Sequence, residues 1–359
     1  MCLRKEINKM LTLACVLWLC SFSASALLAQ TKVSLSNYTI PLDVRGAHIG
    51  SVINLSATKE AKIKMIRDTA NLFVVKKNGV ISLRENKLVQ AKKGAHAYEI
   101  VLRIDEKRYA FELVKDEFLR NKVIAHRGAW RAQGVMQNSI RSFQHAVQLG
   151  CAGSEFDVWL SGDKQVVLSH DPHIGGLSVE ESTADALHAS TLKGGDPVPT
   201  LVDFIQLAKQ QNKTKMILEI KPSPTGRSLE LADSVVNIVH RLKAQGYLEY
   251  ISFDYAVLQR IVSLDPSART AYLYGNKTVD ELKADGITGL DYDFYHYRNM
   301  PNLPLLAKAA GLATNVWTVN SEEELRKFLD SKVDWITTDE PELLLKLIQE
   351  QQPTTSNYE

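Results

Sequence analysis

From Val123 onward, short apolar runs of strand length alternate with amphipathic runs of helix length, a rhythm that few folds accommodate. Strands are expected at Val123–Ala125, Glu155–Val158, Met216–Ile220, Tyr250–Phe253, Ala271–Tyr274, Ile287–Leu290, Thr314–Trp317 and Trp335–Thr337. Helices are expected at Ser139–Leu149, Leu201–Lys209, Ser228–Gln245, Ala256–Ser263, Val279–Lys283, Leu303–Ala310, Glu322–Leu329 and Pro341–Gln351. The first of these gathers Ile140, Phe143, Ala146 and Val147 on one face, behind Asn138 as the expected N-cap. Asn320-Ser-Glu-Glu-Glu324 has the form of a capping box, and Thr338-Asp-Glu-Pro341 supplies a cap followed by proline. Asp339 is within reach of the barrel mouth as well, and is assigned to that cap. Eight such units over about 230 residues match an α/β fold of the (β/α)8 barrel type. An open doubly wound sheet is the alternative, but no glycine-rich phosphate loop follows the first strand.

In a barrel of this kind, residues at the carboxyl ends of the strands share one mouth. His126 and Arg127 follow the first strand, Glu155 and Asp157 end the second, and Glu219 and Lys221 end the third. Asp254 follows the fourth and Trp317 ends the seventh. Glu155 and Asp157 are two apart on a strand and therefore point to the same face. With Glu219 they offer three hard oxygen ligands suited to Ca²⁺ or Mg²⁺. His126 and His170 are each able to shuttle a proton. Arg127 can grip phosphate oxygens through two N–H groups, and Lys221 adds a point charge. Trp317, Phe253 and Tyr274 are candidates for an apolar pocket wall, or equally for core packing, while His173 is expected on an exposed loop. Each residue has an ordinary structural explanation when taken singly. Their joint ordering points to metal-assisted phosphodiester hydrolysis.

That order closely resembles the glycerophosphodiester phosphodiesterase family, over Lys122 to about Ile348. The resemblance is carried by His126-Arg-Gly128, Gln137-Asn-Ser139, Glu155-Phe-Asp157, His170-Asp171, Leu218-Glu-Ile-Lys221, Asn315-Val-Trp-Thr-Val-Asn320 and Thr337-Thr-Asp-Glu-Pro341. It implies a TIM barrel in which His126 and His170 are the acid/base pair and Glu155, Asp157 and Glu219 hold a divalent metal. Arg127 and Lys221 would bind phosphate; Trp317 is placed on the substrate by its position at the end of the seventh strand. Pro172 to Pro199 would correspond to the family's insertion near the second strand, which helps form the mouth. The chain departs at Gln137, where the family commonly has glutamate, so a carboxylate beside the phosphate site becomes neutral. The implied substrate is a small glycerophosphodiester, cleaved to an alcohol and glycerol 3-phosphate by attack of water or of the substrate's own 2-hydroxyl. A lysophospholipid or a cell-envelope phosphodiester is the alternative substrate, and a non-catalytic surface binding protein is the alternative class.

Residues 32–118 have a different rhythm. Alternation in Ala61–Ile66, Tyr98–Ile104 and Tyr109–Val114, and a hairpin joining Phe73–Val75 to Val80–Leu83 through Lys77-Asn-Gly79, suggest a small all-β sandwich. Its strand spacing resembles cadherin-like or immunoglobulin-like modules. Asp116 to Lys122 is expected to be a linker, and residues 351–359 a flexible tail.

The first 29 residues have a basic start (Arg4, Lys5, Lys9), an apolar run from Met10 to Leu19, and small residues ending at Ala29. This is the build of a secretory signal, too short for a stable span, so export to a periplasmic or extracellular location is expected. Without that segment the chain carries 40 basic and 40 acidic side chains, and no basic excess suggests a nucleic-acid partner. Cys151 would then be the single cysteine, which leaves no intramolecular disulfide; a buried structural thiol is expected. The oligomeric state is not legible.

Overall fold

The computed structural model describes residues 33–54, 61–190 and 195–351. The segment expected to be a secretory signal and the tail expected beyond Gln351 lie outside the described residues. Among the described residues no helix is long and apolar enough to cross a membrane.

The N-terminal region is all β. Strands β1 (Val33–Leu35), β2 (Thr39–Ile40), β3 (His48–Asn54), β4 (Ile63–Asp68), β5 (Phe73–Val75), β6 (Val80–Leu83), β7 (Ala97–Ile104) and β8 (Lys107–Lys115) form two four-stranded sheets, ordered β1-β3-β6-β5 and β2-β8-β7-β4. Both sheets contribute to one apolar core containing Leu35, Phe73, Ile81, Ile100, Leu102 and Leu113. Pairing is antiparallel except between β2 and β8. The hairpin expected at Lys77-Asn-Gly79 joins β5 to β6, with Gly79 at φ 84°, where a side chain would be strained.

Next come β9 (Val123–Ala125), α1 (Ile140–Leu149), β10 (Gly153–Leu160), β11 (Val166–Leu168), β12 (His173–Ile174), β13 (Leu177–Ser178), α2 (Ala184–Ala189), α3 (Leu201–Ala208), β14 (Lys215–Ile220) and α4 (Ser228–Arg241). The chain continues through β15 (Leu248–Ser252), α5 (Tyr255–Leu264), β16 (Thr270–Tyr272), α6 (Val279–Ala284), β17 (Gly289–Asp293), α7 (Phe294–Asn299), α8 (Leu303–Ala310), β18 (Ala313–Trp317), α9 (Glu322–Asp330), β19 (Trp335–Thr338) and α10 (Pro341–Gln351). Eight parallel strands run β9-β10-β14-β15-β16-β17-β18-β19 and close when Thr338 pairs with Ala125. The (β/α)8 expectation therefore holds.

The departures from the expected elements have local causes. Ser139, not Asn138, caps α1: its hydroxyl accepts from the Ser142 amide at 3.1 Å, and Ser142 Oγ accepts from the Ser139 amide at 3.2 Å. Helix α4 stops at Arg241 because Lys243 turns left-handed (φ 55°), and the Ala244 and Lys243 amides close a Schellman motif onto Val239 and His240. Ile287 closes the end of α6 onto Leu282 instead of beginning β17, which runs Gly289–Asp293. Helix α7 was not expected, since Phe-Tyr-His-Tyr-Arg-Asn lacks an apolar period; Asp293 starts it by accepting from the Tyr295 amide at 2.8 Å.

Asp116 to Lys122 is not a free linker. The Glu117 side chain is only 7 % exposed and pairs with Lys115 at 3.2 Å and Lys213 at 2.6 Å, and Phe118 packs edge-on against Tyr247. The Leu119 amide donates to the Lys213 carbonyl, and Asn121 bonds Gly150 and Ala152. These contacts lie at the amino-terminal end of the barrel, where Lys209 meets Glu112 at 3.1 Å and the Tyr247 hydroxyl donates to Glu112 at 2.8 Å. Gly246 is needed there, because a Cβ would come within 2.7 Å of Val114. The β region thus packs against the end of the barrel opposite the mouth, beside β14 and β15.

Candidate active site

At the mouth, β9 leads into His126-Arg-Gly128. Arg127 sits at φ 56°, a region that few side chains tolerate, and Gly128 at φ 83° passes so close to Ser142 that any Cβ would collide with it. This turn aims the Arg127 amide at Glu155 Oε2, to which it donates at 2.8 Å. The Arg127 side chain lies across the site, with Nε 3.8 Å from Asp157 Oδ2 and Nη1 donating to Gln137 Oε1 at 2.9 Å.

Glu155 and Asp157 project inward from β10, and Glu219 from β14 stands level with Asp157 in the strand register. One oxygen from each of the three carboxylates lies within 4.8 Å of the others, and all three residues are buried. Lys221 Nζ bridges Asp157 Oδ1 at 2.8 Å and Glu219 Oε1 at 2.7 Å. Among the described residues Glu155 Oε1 has no hydrogen-bond partner. Burial, then Asp157 and Glu219, push the Glu155 carboxyl well above its ordinary value, and burial with the Asp157 charge pushes Glu219 up to about 8. Asp157 ends low, because Lys221, Asn138 and Arg127 outweigh its burial. Three buried carboxyls crowd around Lys221 with only Arg127 beyond it, two of them are driven towards their neutral forms, and Glu155 Oε1 is left unused. A hard divalent cation fits that donor set.

The two histidines flank the cluster in different settings. His126 Nδ1 bonds Asp339 Oδ1 at 2.7 Å, and His170 Nδ1 bonds Asp171 Oδ1 at 2.7 Å. Burial, then the Lys221 charge, lowers the His170 value, which favours its neutral form. Trp317 commits its indole N–H to the Asp291 carbonyl at 2.8 Å and packs edge-on to Phe253. Tyr274 lies beyond the end of β16 and is 60 % exposed, so it is no core residue. Asp254 caps α5 through the Ala256 amide, and His173 is exposed on β12. Cys151 is buried, and burial pushes its thiol up to about 12.

The segment after β11 carries the β12–β13 hairpin and α2 on a small apolar core of Trp159, Ile174, Val179 and Leu187. It is tied to the loop after Lys221, where Ser223 and Thr225 donate to the two Glu180 oxygens at 2.6 and 2.7 Å.

Two site contacts escaped the reading of the sequence. Asn138, at φ 56°, donates to Asp157 Oδ2 at 2.8 Å and accepts from the Asp157 amide at 3.0 Å, so it pins a cluster carboxylate instead of capping a helix. Asparagine's tolerance of left-handed backbone was the available signal. Asp339 reaches His126 instead of serving the α10 start, where Thr338 Oγ1 accepts from the Glu340 amide at 2.9 Å.

The model of the glycerophosphoryl diester phosphodiesterase family matches residues 126–343, from the first mouth histidine into α10. The chain belongs to this family. A glycerophosphodiester phosphodiesterase structure from Parabacteroides distasonis is 37% identical with a TM-score of 0.62, covering 66% of this chain and 98% of its own. A glycerophosphodiester phosphodiesterase of Caldanaerobacter subterraneus is 24% identical over 245 residues, 64% of this chain and 98% of the relative. An Oleispira antarctica phosphodiesterase, solved with the product sn-glycerol-3-phosphate, shares the fold at 23% identity and a TM-score of 0.56, covering 64% of this chain and 96% of its own. The family match begins downstream of the N-terminal β region. That barrel is an enzyme of the glycerophosphodiester phosphodiesterase class.

Proposed function

We propose that the protein is an exported, divalent-metal-dependent hydrolase that cleaves glycerophosphodiesters to an alcohol and glycerol 3-phosphate. The observation that carries the reading is the convergence of Glu155, Asp157 and Glu219 within 4.8 Å at the mouth of a barrel of this family. These carboxylates would hold the cation, which when bound supplies charge neutralisation and Lewis-acid polarisation at the phosphate. Arg127 and Lys221 engage the phosphate oxygens, and Trp317 stands at the substrate wall. With Nδ1 occupied by a carboxylate, each histidine presents Nε2 for proton transfer. One takes the proton of the attacking oxygen and the other returns one to the departing alcohol oxygen.

The test is turnover of a panel of glycerophosphodiesters with Ca²⁺, Mg²⁺ or chelator. Metal-dependent release of glycerol 3-phosphate is expected; no turnover of any member overturns the reading. A lysophospholipid is the second reading, favoured by Tyr274 and Tyr295, 60 % and 58 % exposed on segments that follow β16 and β17. Preferential turnover of a long-chain lysophospholipid in the same panel selects it. Export is tested by sequencing the N-terminus of secreted or periplasmic protein, with Gln30 expected first. A retained Met1 in cytoplasmic material removes the signal assignment.

A further inference from the structure

The two mouth histidines are held in unequal ways. Asp171, the partner of His170, is its sequence neighbour, and its side chain is 69 % exposed. Asp339, the partner of His126, lies 213 residues away, and its side chain is only 12 % exposed. Both of its oxygens are committed. Oδ1 accepts from His126, while Oδ2 accepts from Asn320 Nδ2 at 2.8 Å and Arg131 at 3.2 Å. Asn320 also grips from the other side, its Oδ1 accepting from the Asp339 amide at 2.9 Å. The histidine backbone is tied to the same segment, since the His126 amide donates to the Thr338 carbonyl at 2.9 Å. Ring and main chain are therefore registered to one two-residue stretch. A merely surface-bracing aspartate needs none of this, and the α10 start is already served by Thr338.

We infer that Asp339, clamped by Asn320, is the positioning residue that fixes His126 with Nδ1–H toward the barrel wall and Nε2 toward the mouth. This rests on the two-histidine reading given above. The carboxylate accepts a proton-bearing Nδ1, so neutral His126 keeps its lone pair on Nε2, and a charged His126 keeps a partner. Asp339 does not touch substrate; it acts through the ring. The exposed Asp171 orients His170 only weakly by comparison.

The test uses the full chain labelled with 15N-histidine. In the unmodified protein the His126 resonances, identified by their loss in His126→Gln, are expected to report a protonated Nδ1 and an unprotonated Nε2 for the neutral ring. The opposite tautomer overturns the inference without any further variant, and it does so whether or not a phosphodiester is turned over. In Asp339→Asn the tautomer is expected to reverse, with kcat falling by roughly 10²- to 10⁴-fold and KM changing by less than about threefold. Asp339→Glu should recover part of kcat and keep the original tautomer. Asp171→Asn should lose no more than about tenfold in kcat. A folded Asp339→Asn with wild-type kcat, or equal losses from the two asparagine variants, overturns the inference.

Discussion

The two ends of the barrel handle charge in opposite ways. At the amino-terminal end, Glu112, Glu117 and Glu99 each meet a lysine from the barrel, at Lys209, Lys213 and Lys243. At the carboxyl end, Lys221 pairs with two of three clustered carboxyls, Glu155 Oε1 has no hydrogen-bond partner among the described residues, and Glu155 and Glu219 are pushed far above their ordinary values. One end is electrostatically satisfied; the other is held in deficit of positive charge by the scaffold around it. Charge left over at a site built so firmly is a ligand's place, whereas charge paired off is architecture.

The contrast can be broken most severely at the mouth. His170→Ala should reduce kcat by about 10²- to 10⁴-fold, with the unfolding midpoint little changed, because the ring is partly exposed and lies outside the apolar cores. Near-normal turnover of purified His170→Ala would end the two-histidine assignment. At the opposite end the expected loss is in stability. Phe118→Ala should cost about 3 kcal/mol in denaturant unfolding and leave kcat unchanged, whereas an equal loss of activity would mean that the two ends are not separable.

Cation addition comes next. Ca²⁺ or Mg²⁺ at about 100 times its Kd should stabilise the chelated protein by about 2.7 kcal/mol, and Glu155→Gln should remove most of that gain. A midpoint insensitive to both ions would show that Lys221 alone satisfies the cluster. The amino-terminal end has its own titration. Bonds from Lys213, the Lys92 amide and Lys115 overcome burial and hold Glu117 at about 2, below its ordinary 4.5. The folded state therefore binds fewer protons than the unfolded one as pH falls below 4.5, so this stabilisation is present above that value and is lost towards about 2. Glu117→Gln should flatten that part of the acid unfolding curve; an unaltered curve would place the acid sensitivity elsewhere. The smallest effect belongs to Gln137→Glu. A carboxylate on Arg127 would compete with phosphate, so KM should rise by a factor of about three to ten while kcat holds; an unchanged KM would show that Gln137 does not govern Arg127.

Much of this was legible because strand periodicity and barrel topology act together. Glu155 and Asp157 share a face by alternation, and the parallel register brings Glu219 beside them, so the three clustered carboxylates were legible in the sequence, their metal role coming from the family resemblance. What stayed hidden depends on contacts that no local pattern encodes. Asp339 looked like a cap because its sequence surroundings are those of a helix start, yet its partner is 213 residues distant. Asn138 looked like a cap because it precedes a helix, and only its left-handed backbone frees its amide for Asp157. Asp116 to Lys122 looked like a linker because it is polar, whereas Glu117 finds Lys213 about a hundred residues later in the chain and Asn121 bonds the chain entering β10.

That short strap has a mechanical consequence. A flexible tether would absorb a pull on the N-terminal region by reorienting. Here Glu117 and Leu119 grip Lys213, two residues before the strand that carries Glu219. The β region is therefore clamped to the chain entering β14, the strand that carries Glu219 and leads into Lys221, as well as joined through Lys122 to β9.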